Sequence, residues 1–169
     1  MAYLTQAKLC VPAPVLGRWQ SELWWAKVRE IENTGAVTSE LYHLASRLRQ
    51  VFQGILLATT PTGQTAGTCA YATLLLKLMI EQFTPYRAIP RGGDGLADGG
   101  YFDASGRGHG HYWLEVLTDD GDYIIDITAD QFGELPVLVV NAVANSNYIP
   151  GDQKLVDSHL EELAKSLPH

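Results

Sequence analysis

Three residue types that could share one reaction occur in this chain in a usable order: Cys69, His111 and Asp126. A thiol attacks a carbonyl only as thiolate, and a free cysteine with a pKa of about 8.5 is mostly protonated near neutrality. A helix N-terminus and an adjacent imidazole are the two usual devices that favour the thiolate. Cys69 qualifies for the first, because it follows a polar loop (residues 59–68, with Pro61, Gly63 and Gly67) and opens the apolar run Ala70-Tyr71-Ala72-Thr73-Leu74-Leu75-Leu76. The imidazole must come through folding. Of the five histidines, His43, His159 and His169 fall on helical or terminal segments and read as surface residues, whereas His111 starts a strand-like run. The next strand carries Asp126 between Ile125 and Ile127. An aspartate among apolar residues is costly unless paired, and a base needs an orienting partner on its far nitrogen.

The pairing of those two strands leaves a choice of carboxylate. A tight turn centred on Asp120-Gly121 would set His111 opposite Asp130 and put Asp126 opposite Glu115, about 14 Å along the strand from His111. Asp126 and Asp130 therefore both stand as orienters at this level. His109 and His111 could share a strand face as metal ligands, but no third and fourth ligand follows, and Asp94, Asp98 and Asp103 lack the spacing of a calcium loop. No metal and no cofactor is expected.

The elements that must position these residues can be read from periodicity. Residues 16–31 and the stripe Leu41, Leu44, Ala45, Leu48, Val51, Phe52, Ile55 predict two N-terminal helices, the second capped by Ser39. The run after Cys69 is apolar nearly all round and predicts a central buried helix. Residues 91–110 hold half of the 16 glycines, show no periodicity and predict a mobile loop bordering the site. Strands follow at residues 111–117, 123–128 and 135–140, and an amphipathic helix at 152–167. Helices, then antiparallel strands, then a helix make an α+β domain, with Cys69 on a central helix packed on a small antiparallel sheet.

The chain has 169 residues, 46% hydrophobic and 18% charged, a composition that suits one globular domain spanning residues 1–169. A formal net charge of −7 repels a phosphate backbone, so no nucleic-acid partner is expected, and Arg47 and Arg49 read as part of a solvated helix face. Only Cys10 and Cys69 are present, too few for a disulfide framework, and neither an export signal nor a membrane span is visible. A cytoplasmic protein is expected, although a secretion system that reads folded cargo would leave no such mark.

Gln64-Thr65-Ala66-Gly67-Thr68-Cys69-Ala70-Tyr71 resembles the nucleophile segment of papain-like thiol enzymes, with the upstream glutamine one residue closer. His111-Tyr112-Trp113-Leu114-Glu115-Val116 followed by Asp126-Ile127-Thr128 resembles the transglutaminase-like branch, with Ile127 where that branch has proline. The likeness covers residues 64–132. It implies a papain/transglutaminase-like fold and a Cys69, His111, Asp126 triad performing acyl transfer through a thioester on an amide of a protein or peptide, as peptidase, deamidase or transglutaminase. It further implies Gln64 as an oxyanion donor and Trp113 as a substrate-side residue, and favours Asp126 over Asp130. A binding module on the same fold without turnover is the alternative, against which the joint retention of Cys, His and Asp argues.

Overall fold

The computed structural model describes residues 35–167, so Cys10 and the helix expected at 16–31 lie outside the described residues. Helix α1 (Ala36–Thr59) buries Leu41, Ala45, Leu48, Phe52 and Leu56, a row at steps of three and four that forms one face. The expected stripe is partly displaced, since Val51 and Ile55 on its flank are about half exposed. Ser39 lies inside the first turns and caps nothing; Gly35 precedes the helix, without a side-chain cap.

Helix α2 (Cys69–Phe83) begins at the thiol itself and buries Cys69, Ala70, Ala72, Thr73, Leu76 and Ile80. Its opposite side is not buried, as the apolar run suggested, for Tyr71 and Leu78 face out. The two helices cover one face of a four-stranded antiparallel sheet ordered β1-β4-β5-β6, made of β1 (Arg87–Gly93), β4 (His111–Thr118), β5 (Gly121–Asp126) and β6 (Leu138–Asn141). Leu114, Val116 and Ile125 point into the helix-side core with Leu41, Leu76 and Ile80, while Trp113 and Ile124 point to the other face. A second, three-stranded sheet, β3-β2-β7, is built from β2 (Gly100–Phe102), β3 (Gly108–His109) and β7 (Tyr148–Ile149). Its Tyr101 and Tyr148 close over Trp113. Helix α3 (Gln153–Ser166) is capped by Asp152, whose carboxylate accepts from the Lys154 N–H at 2.8 Å, and packs Val156 and Leu160 against Ala70. Mixed helix and antiparallel sheet is thus the observed α+β class. Among the described residues no helix is long and apolar enough to cross a membrane.

Two expectations are corrected here. The β4–β5 turn does have two residues, but they are Asp119 and Asp120, with Thr118 opposite Gly121. That moves the register by two and brings Asp126 opposite Trp113's position, one step past the Leu114–Ile125 pair, on the same face as His111. The glycine-rich segment is also not a loop without structure. It contributes the end of β1 and the whole of β2 and β3, and its turns are held by side chains: Asp94 Oδ1 accepts from the N–H groups of Leu96 (2.7 Å) and Asp98 (3.1 Å), and Asp103 Oδ1 from those of Ser105 (2.9 Å) and Arg107 (3.1 Å). Glycine is needed there for close approach. A Cβ on Gly95, whose φ is +78°, would stand 2.3 Å from the His109 carbonyl carbon, and one on Gly108 would stand 1.9 Å from the Gly95 carbonyl oxygen.

Candidate active site

His111 is the first residue of β4 and is completely buried. A buried imidazole needs partners for both nitrogens. Nε2 lies 2.6 Å from Asp126 Oδ2 at the end of β5. Asp126 is itself 2% exposed and receives three further hydrogen bonds: the Thr128 N–H (2.7 Å) and hydroxyl (2.9 Å) donate to Oδ1, and the Tyr148 hydroxyl donates to Oδ2 at 2.9 Å. Burial alone would push this carboxyl up, but the His111 charge and hydrogen bond, together with the Thr128 donors, hold it below the ordinary carboxylate value. It is therefore an ionised acceptor, and His111 Nε2 carries the hydrogen. The same placement pushes the Tyr148 phenol far upward, first by burial and then by the Asp126 charge and hydrogen bond, so Tyr148 remains a neutral donor.

On the other nitrogen, Nδ1, the Gln131 side-chain nitrogen stands 3.4 Å away, at the long limit of a hydrogen bond, while it donates to the Thr128 carbonyl at 2.9 Å. Burial lowers His111, the Asp126 charge and hydrogen bond raise it more, and Cys69 adds a hydrogen bond and a charge in the same direction; the net result is a rise from 6.5 to about 9. Cys69, nine-tenths buried, stands at the head of α2, where the first N–H groups have no helical carbonyl to bond and present a partial positive charge.

The other expected residues fall elsewhere. Asp130 does not reach His111: it sits on a 3-10 turn (Ala129–Phe132) and takes both nitrogens of Arg49, at 2.8 and 2.7 Å, together with the Thr65 hydroxyl at 2.9 Å. Arg49 is accordingly no part of a solvated face. It also donates to the Ile127 carbonyl, pinning α1 to the segment that follows Asp126. Gln64 is exposed, and its side chain has no hydrogen-bond partner among the described residues. It lines a polar cavity of about 480 Å³ with Arg49, Gln53, Thr65, Asp130 and Gln131, whose walls do not include Cys69. Trp113 is 1% exposed, with its ring centre 6.3 Å from that of His111 and 5.2 Å from that of Tyr148, so it packs beside the imidazole and offers substrate no surface.

A second cavity, of about 430 Å³, does open on Cys69. Gly93, Asp94, Asp98 and Gly110 of the glycine-rich segment and Tyr112, Leu155, Val156 and His159 form the rest of its wall. The segment therefore borders the site as expected, though as folded strands and turns. Sequence reading did not single out Gln131 or Tyr148, and it read His159 as a surface residue, which it is, without placing it at this cavity. For Tyr148 no signal existed, since a two-residue strand has no periodicity. For His159 there was one: it lies beside Val156 and Leu160 on α3, at the rim of the buried face. Among the described residues no cluster of three or more His, Cys, Asp or Glu is gathered as a metal-ligand set. Compared with known proteins, the chain matches no family model, no curated protein and no solved structure.

Proposed function

We propose that this protein is a cysteine enzyme of papain/transglutaminase-like type, which transfers the acyl group of a protein or peptide amide through a thioester on Cys69. The observation that carries this reading is His111, bonded through Nε2 to the buried, ionised Asp126 and raised in part by Cys69, which stands at a helix N-terminus. In that arrangement the thiol proton passes to His111 Nδ1, and Asp126 stabilises the resulting imidazolium. The thiolate attacks the amide carbonyl carbon, and the developing oxyanion is met by the Cys69 N–H at the head of α2. Collapse breaks the C–N bond, the amine leaves with the His111 proton, and the thioester then passes its acyl group to water or to a second amine. Which of peptidase, deamidase or transglutaminase results follows from which amide enters and which acceptor reaches the thioester.

Alkylation tests this without knowledge of the substrate. Iodoacetamide at about pH 6, where an ordinary thiol with a pKa of about 8.5 reacts slowly, should modify Cys69 well ahead of Cys10. His111→Ala should remove that preference, and Cys69→Ala should fold normally and take up no fast label. Equal, slow labelling of both cysteines would refute the reading.

A further inference from the structure

The cavity through which a reactant reaches Cys69 is walled by His159 and Tyr112, and His111 is not on its wall. His111 is closed off from solvent, with Nε2 committed to Asp126 and Nδ1 facing the Gln131 amide. His159 differs in every respect. It is exposed on α3, its Nδ1 is hydrogen-bonded to the Tyr112 hydroxyl, and the two rings meet edge to face with centres 5.3 Å apart. Tyr112 lines the same cavity as Cys69, and its phenol is raised first by burial and then by the charges of Cys69 and Asp98. With the Tyr112 hydroxyl oxygen accepting from Nδ1–H, the ring is held in the tautomer whose Nε2 carries the free lone pair, the service that Asp126 performs for His111 by accepting from its Nε2–H.

We infer that His159, oriented by Tyr112, is the base for the second half of the reaction, activating the acceptor that attacks the thioester on Cys69. This rests on the thiol-enzyme reading above. With water as acceptor, His159 Nε2 accepts one proton while the oxygen bonds to the thioester carbon. The tetrahedral adduct then breaks its C–S bond and releases the Cys69 thiolate and a carboxylic acid. The proton on His159 passes to solvent, and the one lost as the acid ionises can return to His111. With an amine as acceptor the same nitrogen removes the proton from the attacking nitrogen. Two imidazoles then divide the work, His111 serving formation of the thioester and His159 its resolution.

The test uses p-nitrophenyl acetate, whose leaving group needs no proton, so formation of the acetyl-enzyme does not involve His159. The full-length protein and its His159→Gln and Tyr112→Phe variants are acetylated stoichiometrically and desalted, and loss of the acetyl mass from Cys69 is followed by intact mass spectrometry. The inference expects acetylation at an unchanged rate in all three. It also expects at least tenfold slower loss of the acetyl group in His159→Gln, a smaller slowing in Tyr112→Phe, and partial rescue of His159→Gln by added imidazole. Loss of the acetyl group at the parent rate in His159→Gln would overturn it and leave the thiol-enzyme reading standing. Failure of Cys69 to become acetylated in the parent protein would overturn both.

Discussion

Two residues apart on one stretch of chain, His109 and His111 each face an aspartate, yet only one of the pairs is shut away from water. His109 Nε2 lies 3.0 Å from Asp103 Oδ2, with the two side chains 28% and 30% exposed. His111 Nε2 lies 2.6 Å from Asp126 Oδ2, with 0% and 2%. The contacts are of the same chemical kind. In the outer pair both groups exchange freely with solvent, and Asp103 is held low by His109 and by the turn donors around it, so its carboxylate serves mainly to close the 103–107 turn. In the inner pair water cannot compete, the carboxylate keeps its charge only through four hydrogen bonds, and that fixed charge makes the neighbouring ring a strong base. The same His–Asp contact acts differently in the two places because one is closed to water and the other is not.

The comparison breaks most decisively if the inner carboxylate is dispensable. Asp126→Ala leaves a buried imidazole without its partner, and breaking a buried pair costs about 3–5 kcal/mol. It should cut the fast alkylation of Cys69 and any turnover by orders of magnitude, and Asp126→Asn should separate the lost charge from the lost volume; melting and labelling measured on both variants check this. The pH dependence sharpens the same contrast. Because folding raises His111 from 6.5 to about 9, the stability it contributes is fully present below about pH 6.5 and is lost as pH rises through about 9. Denaturation at pH 7 and pH 10 should show that loss in the parent protein and much less of it in Asp126→Asn. Turnover that needs the His111 proton should fall over the same interval.

A smaller effect is expected at Asp130, only four residues after Asp126. Asp130→Ala removes the anchor of Arg49 and Thr65 and should cost about 1–3 kcal/mol, the range for leaving a part-buried polar group unsatisfied, while low-pH labelling of Cys69 persists. The smallest change belongs to the outer pair. Asp103→Ala should leave the melting temperature and the labelling rate of Cys69 almost unchanged, and a large loss of either would erase the distinction drawn between the two pairs.

Local chemistry made part of this legible in the sequence. Cys69 at a helix start could be read because a polar glycine-bearing loop ends where an apolar run begins, and the strand on either side of Asp119-Asp120 could be read from β-branched and aromatic residues. The carboxylate facing His111 was left open because hairpin register depends on which two residues turn. Moving the turn from Asp120-Gly121 to Asp119-Asp120 shifts the partner of every β4 residue by two. Gln64 and Trp113 were assigned by likeness alone, and their surroundings are set by packing at a distance: the Arg49–Asp130 pair beside one, and the closure of Tyr101 and Tyr148 over the other. The glycine-rich segment read as mobile because its glycines serve backbone contacts with residues well removed in the chain, such as Gly99 against Ile149, which have no local pattern.

The hydrogen bond from Tyr148 to Asp126 also dictates an order of assembly. Synthesis delivers Cys69 first, His111 about 40 residues later, and the hydroxyl that completes the aspartate's shell later still, followed by α3. Contacts so far apart in the chain close late in folding. A growing or truncated chain that ends before Tyr148 carries Cys69 and His111 but neither the full set of donors that holds Asp126 nor the helix that walls the cleft. The buried surroundings of Asp126 and the wall of the cleft are thereby complete only once Tyr148 and α3 have docked.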